Sequence, residues 1–230
     1  MILPHRVVHR RCTIALLAAA MVSGLGFPAA GTAAPAPGFD DAAWIWYTGE
    51  QLNRMSAGVG YFRAEVSIPE NPAVEAAEVI ATCDNMFVLY INGRPIGESG
   101  ADNSAWQKPM RWDLTDIITP GRTVLAVEAV NTLPGPAALI LKFTATLADG
   151  TEIVLKTGPD WKCAYGDVRN WQQPDFDDQK WKPAKVVGRF GGGPWGKVSV
   201  KGKAKTAPTP IGKVAKATRS VSLTRSITGC

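Results

Sequence analysis

Histidine is nearly absent from this sequence. The chain of 230 residues has two, His5 and His9, both within the first 33 positions. If that segment is removed on export, no histidine is left. Ser-His-Asp catalysis, Cys-His catalysis and His-ligated zinc or iron are then excluded. Cysteine is scarce too, with four residues at Cys12, Cys83, Cys163 and Cys230 and no metal-ligand spacing among them. Acidic residues are missing from both ends. All 20 lie between 34 and 196, together with 14 of the 25 Lys+Arg, so this middle part is acidic at −6 inside a chain of net charge +5. A basic nucleic-acid-binding fold is therefore not expected. No apolar run reaches the roughly 20 residues of a membrane span. No repeat of fixed period, phosphate-cradling glycine loop or nucleophile motif occurs. Gly191-Gly192-Gly193 leads into Pro194-Trp195 and opens no helix, so it reads as a closing loop.

The basic, apolar start has a purpose of its own. Arg6, His9, Arg10 and Arg11 precede an apolar stretch from Thr13 to Phe27, and small residues follow. This is the pattern of a secretory signal, with cleavage expected at Gly31-Thr32-Ala33 or Thr32-Ala33-Ala34. Residues 1–33 are thus read as a signal peptide and the protein as secreted or periplasmic, with no stable membrane span after cleavage. Residues 34–38 form a short linker. Residues 197–230 contain no acid and no aromatic residue; they are expected to be a basic disordered tail, because little apolar surface is available to offset ordering entropy.

Residues 39–196 hold all eight Trp, all four Tyr and six of the seven Phe. About 160 residues suit one domain, which would bury roughly 70% of its unfolded surface. The pattern inside is β. Over Tyr61 to Ile68, the residues Phe62, Ala64, Val66 and Ile68 share one face and Arg63, Glu65 and Ser67 the other. Ala77 to Cys83 has some helical propensity, but its Val79-Ile80-Ala81-Thr82 core favours a strand. Met86 to Ile91 runs into Asn92-Gly93, a strong hairpin signal. Thr123 to Asn131 and Ala138 to Leu147 alternate again, and Asp149-Gly150 turns the latter into a second hairpin with Glu152 to Lys156. Trp161 to Ala164 reads as a further short strand. Helical turns are expected over Trp112 to Ile118 and over Phe176 to Trp181. Short strands at roughly ten-residue spacing predict an all-β protein, an antiparallel β-sandwich with one or two short helical turns.

The chemistry-bearing residues are few. Asp84, Asp113, Asp116 and Glu128 are the carboxylates considered for a glycosidase acid and base pair. Capping explains Asp113 and Asp116 better, and Glu128 lies mid-strand, where an outward face or an Arg partner is expected. Trp44, Trp46 and Trp161 lie in strands and are expected in the core. Trp106 instead sits in the polar loop Glu98 to Gln107, where an aromatic ring can stack on a sugar. Asp84-Asn85 at a turn and Asn131 at a strand end can exchange hydrogen bonds with sugar hydroxyls; turn formation also accounts for them. Cys83 and Cys163 are the only cysteine pair within the domain, as a disulfide or as two buried free thiols. No cofactor is expected, and no residue pattern specifies a calcium site.

The order of motifs is familiar. It runs Ala43-Trp44-Ile45-Trp46, Tyr61-Phe62-Arg63, Asp84-Asn85 through Asn92-Gly93, Trp106, Trp112-Asp113-Leu114-Thr115, Gly121 to Val127, Asp149-Gly150, Asp160-Trp161-Lys162, Phe176-Asp177-Asp178, Trp181, and Pro194-Trp195-Gly196. This resembles the galactose-binding-like jelly roll found as the N-terminal accessory domain of bacterial alpha-L-rhamnosidases. It is also similar to the sugar-binding domain of family 2 glycoside hydrolases. The resemblance covers residues 40–196, and it departs from the family at Cys83, where a small residue such as Ala is usual. In such enzymes catalysis belongs to a separate barrel domain. The resemblance implies an exported, non-catalytic carbohydrate-binding module, its partner a cell-surface or plant polysaccharide, with Trp106, Asp84, Asn85 and Asn131 at the loop end. The alternative is a structural or protein-interaction domain without a glycan site of its own.

Overall fold

The computed structural model describes residues 38–47 and 49–208. The signal-peptide expectation for 1–33 lies outside these residues, as do most of the linker and the tail beyond 208. Thirteen strands follow in order: β1 Ala43–Trp46, β2 Gly58–Ile68, β3 Val74–Asp84, β4 Met86–Ile91, β5 Arg94–Glu98, β6 Met110–Asp113, β7 Gly121–Asn131, β8 Ala138–Leu147, β9 Glu152–Lys156, β10 Lys162–Tyr165, β11 Lys182–Pro183, β12 Lys185–Arg189 and β13 Lys205–Thr206. Single 3-10 turns occur at Leu52–Arg54 and Ala105–Gln107.

The strands form two sheets. One has the order β12-β1-β8-β3-β6-β13, with β9 also paired to β8; the other has the order β11-β10-β2-β7-β4-β5. β1 meets β8 at Leu139, and β9 meets β8 at residues 142–146, so both lie along one edge of β8. Buried Thr157 closes the gap between them: its hydroxyl donates to Ala43 O at 2.7 Å and accepts from Leu141 N at 3.1 Å.

Alternation builds the core. Ile45, Val79, Ala81, Leu139 and Leu141 of the first sheet face Phe62, Phe87, Leu89, Leu125 and Val127 of the second. The intervening residues of the first sheet point the other way, yet Trp44, Ile80, Ala138 and Ile140 are buried there too, under Phe39, Trp195 and Val198. The first sheet is thus apolar on both faces over part of its area. The Asn92-Gly93 hairpin forms as expected, with φ of 48° and 79° joining β4 to β5.

Two expectations change, and two readings are met. Trp112 lies on β6 and is buried, and only a tight turn follows it, with Ile118 N bonded to Leu114 O at 3.0 Å. The single turn expected over Phe176 to Trp181 is present, closed by Trp181 N donating to Asp178 O at 3.0 Å, with Asp177 Oδ1 accepting from Gln179 N at 3.0 Å. The ordered fold also runs past Gly196. β13 adds to β6 in parallel, the one parallel pair among the described strands, and Val198 and Ala207 are buried. Of the two alternatives for the cysteines, the structure has Cys83 and Cys163 as free, buried thiols in opposite sheets. Cys83 lies on central β3, whereas the Cys163 thiol is turned along its own sheet toward Pro183 O, 3.7 Å away. Burial pushes the Cys163 thiol up to about 11 and the Cys83 thiol well above its ordinary value.

Candidate functional site

β3 and β7 end side by side at one end of the sandwich and bring distant polar residues together. β3 delivers Asp84, and Asn85 is the single residue before β4; the Asp84–Asn85 peptide is cis. Asn85 N donates to Val130 O at 3.0 Å, which ties the turn to the end of β7. The Asn85 side chain then makes a small network. Its Oδ1 accepts from Thr132 N and Thr132 Oγ1, both at 2.9 Å, and its Nδ2 donates to Asp84 Oδ1 at 2.8 Å. Asn103, on the exposed loop after β5, joins through its Oδ1, 3.2 Å from Thr132 Oγ1. Asn85, Asn103 and Thr132 thus form a cluster of neutral donors and acceptors at the surface.

The other expected residues stand around this cluster in different ways. Asp84 is buried, and its Oδ2 accepts the Trp195 indole N–H at 2.9 Å. Burial pushes the Asp84 carboxyl up, and the indole hydrogen bond opposes that rise. Trp195 in turn stacks on Trp44 with centroids 4.7 Å apart, so Asp84 pins the closing loop of the chain to the first sheet. Asn131 is only 2% exposed; its amide turns inward and donates to Ser56 O at 3.1 Å, holding the loop before β2. Its Oδ1 is buried without a partner. Trp106 lies on the adjoining 3-10 turn, half-buried against the Trp44–Ile80–Trp195 cluster. The Thr82 hydroxyl donates to Trp106 O at 2.9 Å and anchors that turn to β3.

Two members of the cluster were not singled out from the sequence. Thr132 follows Asn131 directly, and Asn103 lies in the polar loop already quoted. Their signal is proximity to the expected residues; the pairing of β7 with β4 brings Thr132 to Asn85, and the loop after β5 brings Asn103 to Thr132. The remaining carboxylates do not converge. Asp113 Oδ1 accepts from Thr115 N and Oγ1 at 2.9 and 2.7 Å, a turn-closing role. Glu128 lies on the outer face of the second sheet, opposite Tyr61 and Val88. Burial pushes its carboxyl up. Cavities of about 280, 290 and 550 Å³ lie elsewhere, beside Glu78 and Arg111, beside Arg63 and Lys162, and beside Asp41 and Arg189. At the loop end, Asn85, Asn103 and Thr132 present amides and a hydroxyl. Among the described residues no group of three or more His, Cys, Asp or Glu could hold a metal ion.

No protein-family model matches the chain. An alpha-L-rhamnosidase of Streptomyces avermitilis is 33% identical over 168 residues, 71% of this chain and 16% of that protein. This chain is homologous to one part of that enzyme. The crystal structure of the Streptomyces avermitilis rhamnosidase complexed with L-rhamnose superposes with a TM-score of 0.68 over 72% of this chain and 16% of that one. The apo form of a Pleurotus ostreatus lectin follows at 27% identity, with a TM-score of 0.63 over 71% of this chain and 46% of the lectin. The resemblance to a galactose-binding-like rhamnosidase accessory domain, read from the motif order, is borne out. The chain spans about a sixth of the rhamnosidase it matches.

Proposed function

We propose that this chain is an exported, non-catalytic carbohydrate-binding module related to the accessory domains of alpha-L-rhamnosidases. The observation that carries this reading is the match to a 16% portion of a rhamnosidase, joined by the likeness to a lectin at 27% identity. The chemistry of the loop end supports it. Asn85, Asn103 and Thr132 offer neutral donors and acceptors suited to vicinal hydroxyls, and Trp106 supplies the neighbouring ring. Asp84 and Asn131 hold the loops that present them. The acidic charge of residues 34–196 favours a neutral glycan over an acidic one. The relative described with L-rhamnose makes a deoxyhexose-containing polysaccharide, of a cell surface or a plant wall, the first ligand to try.

Calorimetry with L-rhamnose and D-galactose tests the reading. Binding of one sugar is expected, weakened about tenfold by Asn85→Ala or Trp106→Ala, the equivalent of one good polar or stacking contact. Unchanged binding in Trp106→Ala removes that ring from the site. The module is expected to release no product from aryl rhamnosides, and turnover would overturn its non-catalytic character.

A second reading is a bracing domain with no glycan site. The internal satisfaction of Asp84 favours it, since both carboxylate oxygens are already bonded within the protein. Absence of binding across both sugars, with the fold intact, would select it.

A further inference from the structure

The two most exposed large apolar side chains of the described residues, Tyr165 at 72% and Leu133 at 63%, lie at the same end of the sandwich as Asn85. Tyr165 is the last residue of β10 and pairs with Gly60 of β2; two residues earlier on β2, Gly58 pairs with Asn131 of β7. The Tyr165 ring is not loose. It stacks on Tyr47, with centroids 5.6 Å apart and planes at 29°. Tyr47 is itself wedged: its ring packs on Trp46 at 5.2 Å and against Gly60, with its hydroxyl beside Gly58. A Cβ on Gly60 would sit 2.4 Å from Tyr47 Cδ1, and one on Gly58 2.9 Å from its hydroxyl. Both glycines are therefore needed for the ring to lie where it does. Burial and then Glu50 raise the Tyr47 phenol, so it stays neutral. The result is an aromatic step of two stacked rings, the outer one open to solvent.

We infer that Tyr165, seated on Tyr47, is a second sugar-stacking subsite that extends the loop-end site to an oligosaccharide. The inference rests on the carbohydrate reading above. It adds the length of the ligand and the residue that measures it. Tyr165 on β10 and Asn85 beside β4 are separated by β2 and β7, three strand spacings or about 14 Å. One pyranose held at Asn85 cannot also cover Tyr165, so a chain of several sugars is required. The occupant is a neutral glycan because the carboxylates bordering the platform, Glu50 beside Tyr47 and Asp102 beside Asn103, repel an anionic chain, and because a phenol ring exposes a face that suits C–H-rich sugar faces. Preorganisation matters here: a ring already fixed by stacking loses little entropy when a ligand covers it.

The experiment compares L-rhamnose and D-galactose, each as monosaccharide and as linear trisaccharide, on the full chain and on Tyr165→Ala. In the unaltered protein the trisaccharide of the preferred sugar should bind about three- to tenfold more tightly than the monosaccharide, the worth of one stacked ring. Tyr165→Ala should abolish that ratio and leave monosaccharide affinity unchanged; Tyr165→Phe should retain it. Tryptophan fluorescence and thermal unfolding verify that each variant is folded. A trisaccharide no tighter than its monosaccharide, or a ratio untouched in Tyr165→Ala, overturns the subsite while leaving the first site standing. Failure of every sugar to bind the unaltered protein overturns the carbohydrate reading and the subsite with it. Loss of both monosaccharide and trisaccharide binding in a folded Tyr165→Ala would place Tyr165 in the first site and overturn the second.

Discussion

Gly60 faces the core side of β2, and the Tyr47 ring occupies the space where any other residue would place its Cβ. The substitution Gly60→Ala is expected to lower stability by about 1–3 kcal/mol, as overpacking does, and to shift Tyr47 and Tyr165 together. Chemical denaturation measures the first effect, and quenching of tyrosine emission by acrylamide the second. Nothing in the sequence marks Gly60 apart from its neighbour Gly58, because the reason for it is a tyrosine 13 positions earlier. Asp84 teaches the same lesson. Its neighbour Asn85 was legible as a turn residue with spare hydrogen-bonding capacity. Its bond to Trp195 spans 111 positions and had no local sign.

At the scale of elements, Arg63 shows where alternation stops being informative. The period of two correctly places it opposite Phe62, away from the core. It is nonetheless 1% exposed, because the segment between β10 and β11 crosses the outer face of the second sheet. Arg63 holds that segment: it donates to Asp178 Oδ2 at 2.9 Å, to Gln173 O at 3.0 Å and to Trp171 O, and its guanidinium lies 5.3 Å from the Phe176 ring centroid. Lys162 donates to the other Asp178 oxygen at 2.6 Å. Arg63→Ala is expected to cost about 3–5 kcal/mol, the cost of breaking a buried pair, and to open residues 166–181 to proteolysis ahead of the sheets. An unchanged cleavage pattern would remove Arg63 from that role. The pair also sets an acid response. Burial pushes the Asp178 carboxyl up, but the hydrogen bonds and charges of Lys162 and Arg63 outweigh it and hold the group below the ordinary aspartate value. A depressed native value means that the pair's contribution is present above the unfolded aspartate range, near pH 4, and is lost as pH falls through the native value. Asp178→Asn should lower the unfolding midpoint at neutral pH and flatten its decline in acid.

The described residues form a two-sheet fold in which both ends of the domain cover or extend a sheet. Phe39, Trp195 and Val198 cover the outer face of the first sheet, and β13 extends that sheet along β6. Truncation after Gly196, where a boundary was expected, removes buried Val198 and Ala207 and should cost about 2 kcal/mol. Equal denaturation midpoints for the shortened and full chains would show that this edge is dispensable. Lysine-rich composition concealed it, since Lys205 and Thr206 are exposed while their backbone completes the sheet.

The sequence by itself determined the two-sheet β architecture, the Asn92-Gly93 hairpin, the core faces and the kinship with rhamnosidase accessory domains. These are local properties: period-two alternation and turn conformations act over a few residues, and the motif order carries the kinship. Tertiary structure alone decided which second faces are covered, which side chains meet at the loop end, and that Cys83 and Cys163 remain thiols in opposite sheets. Those outcomes depend on where long connections pass over the sheets. A connection that crosses a sheet buries side chains, such as Arg63 and Ile80, whose neighbours in the chain carry no trace of it.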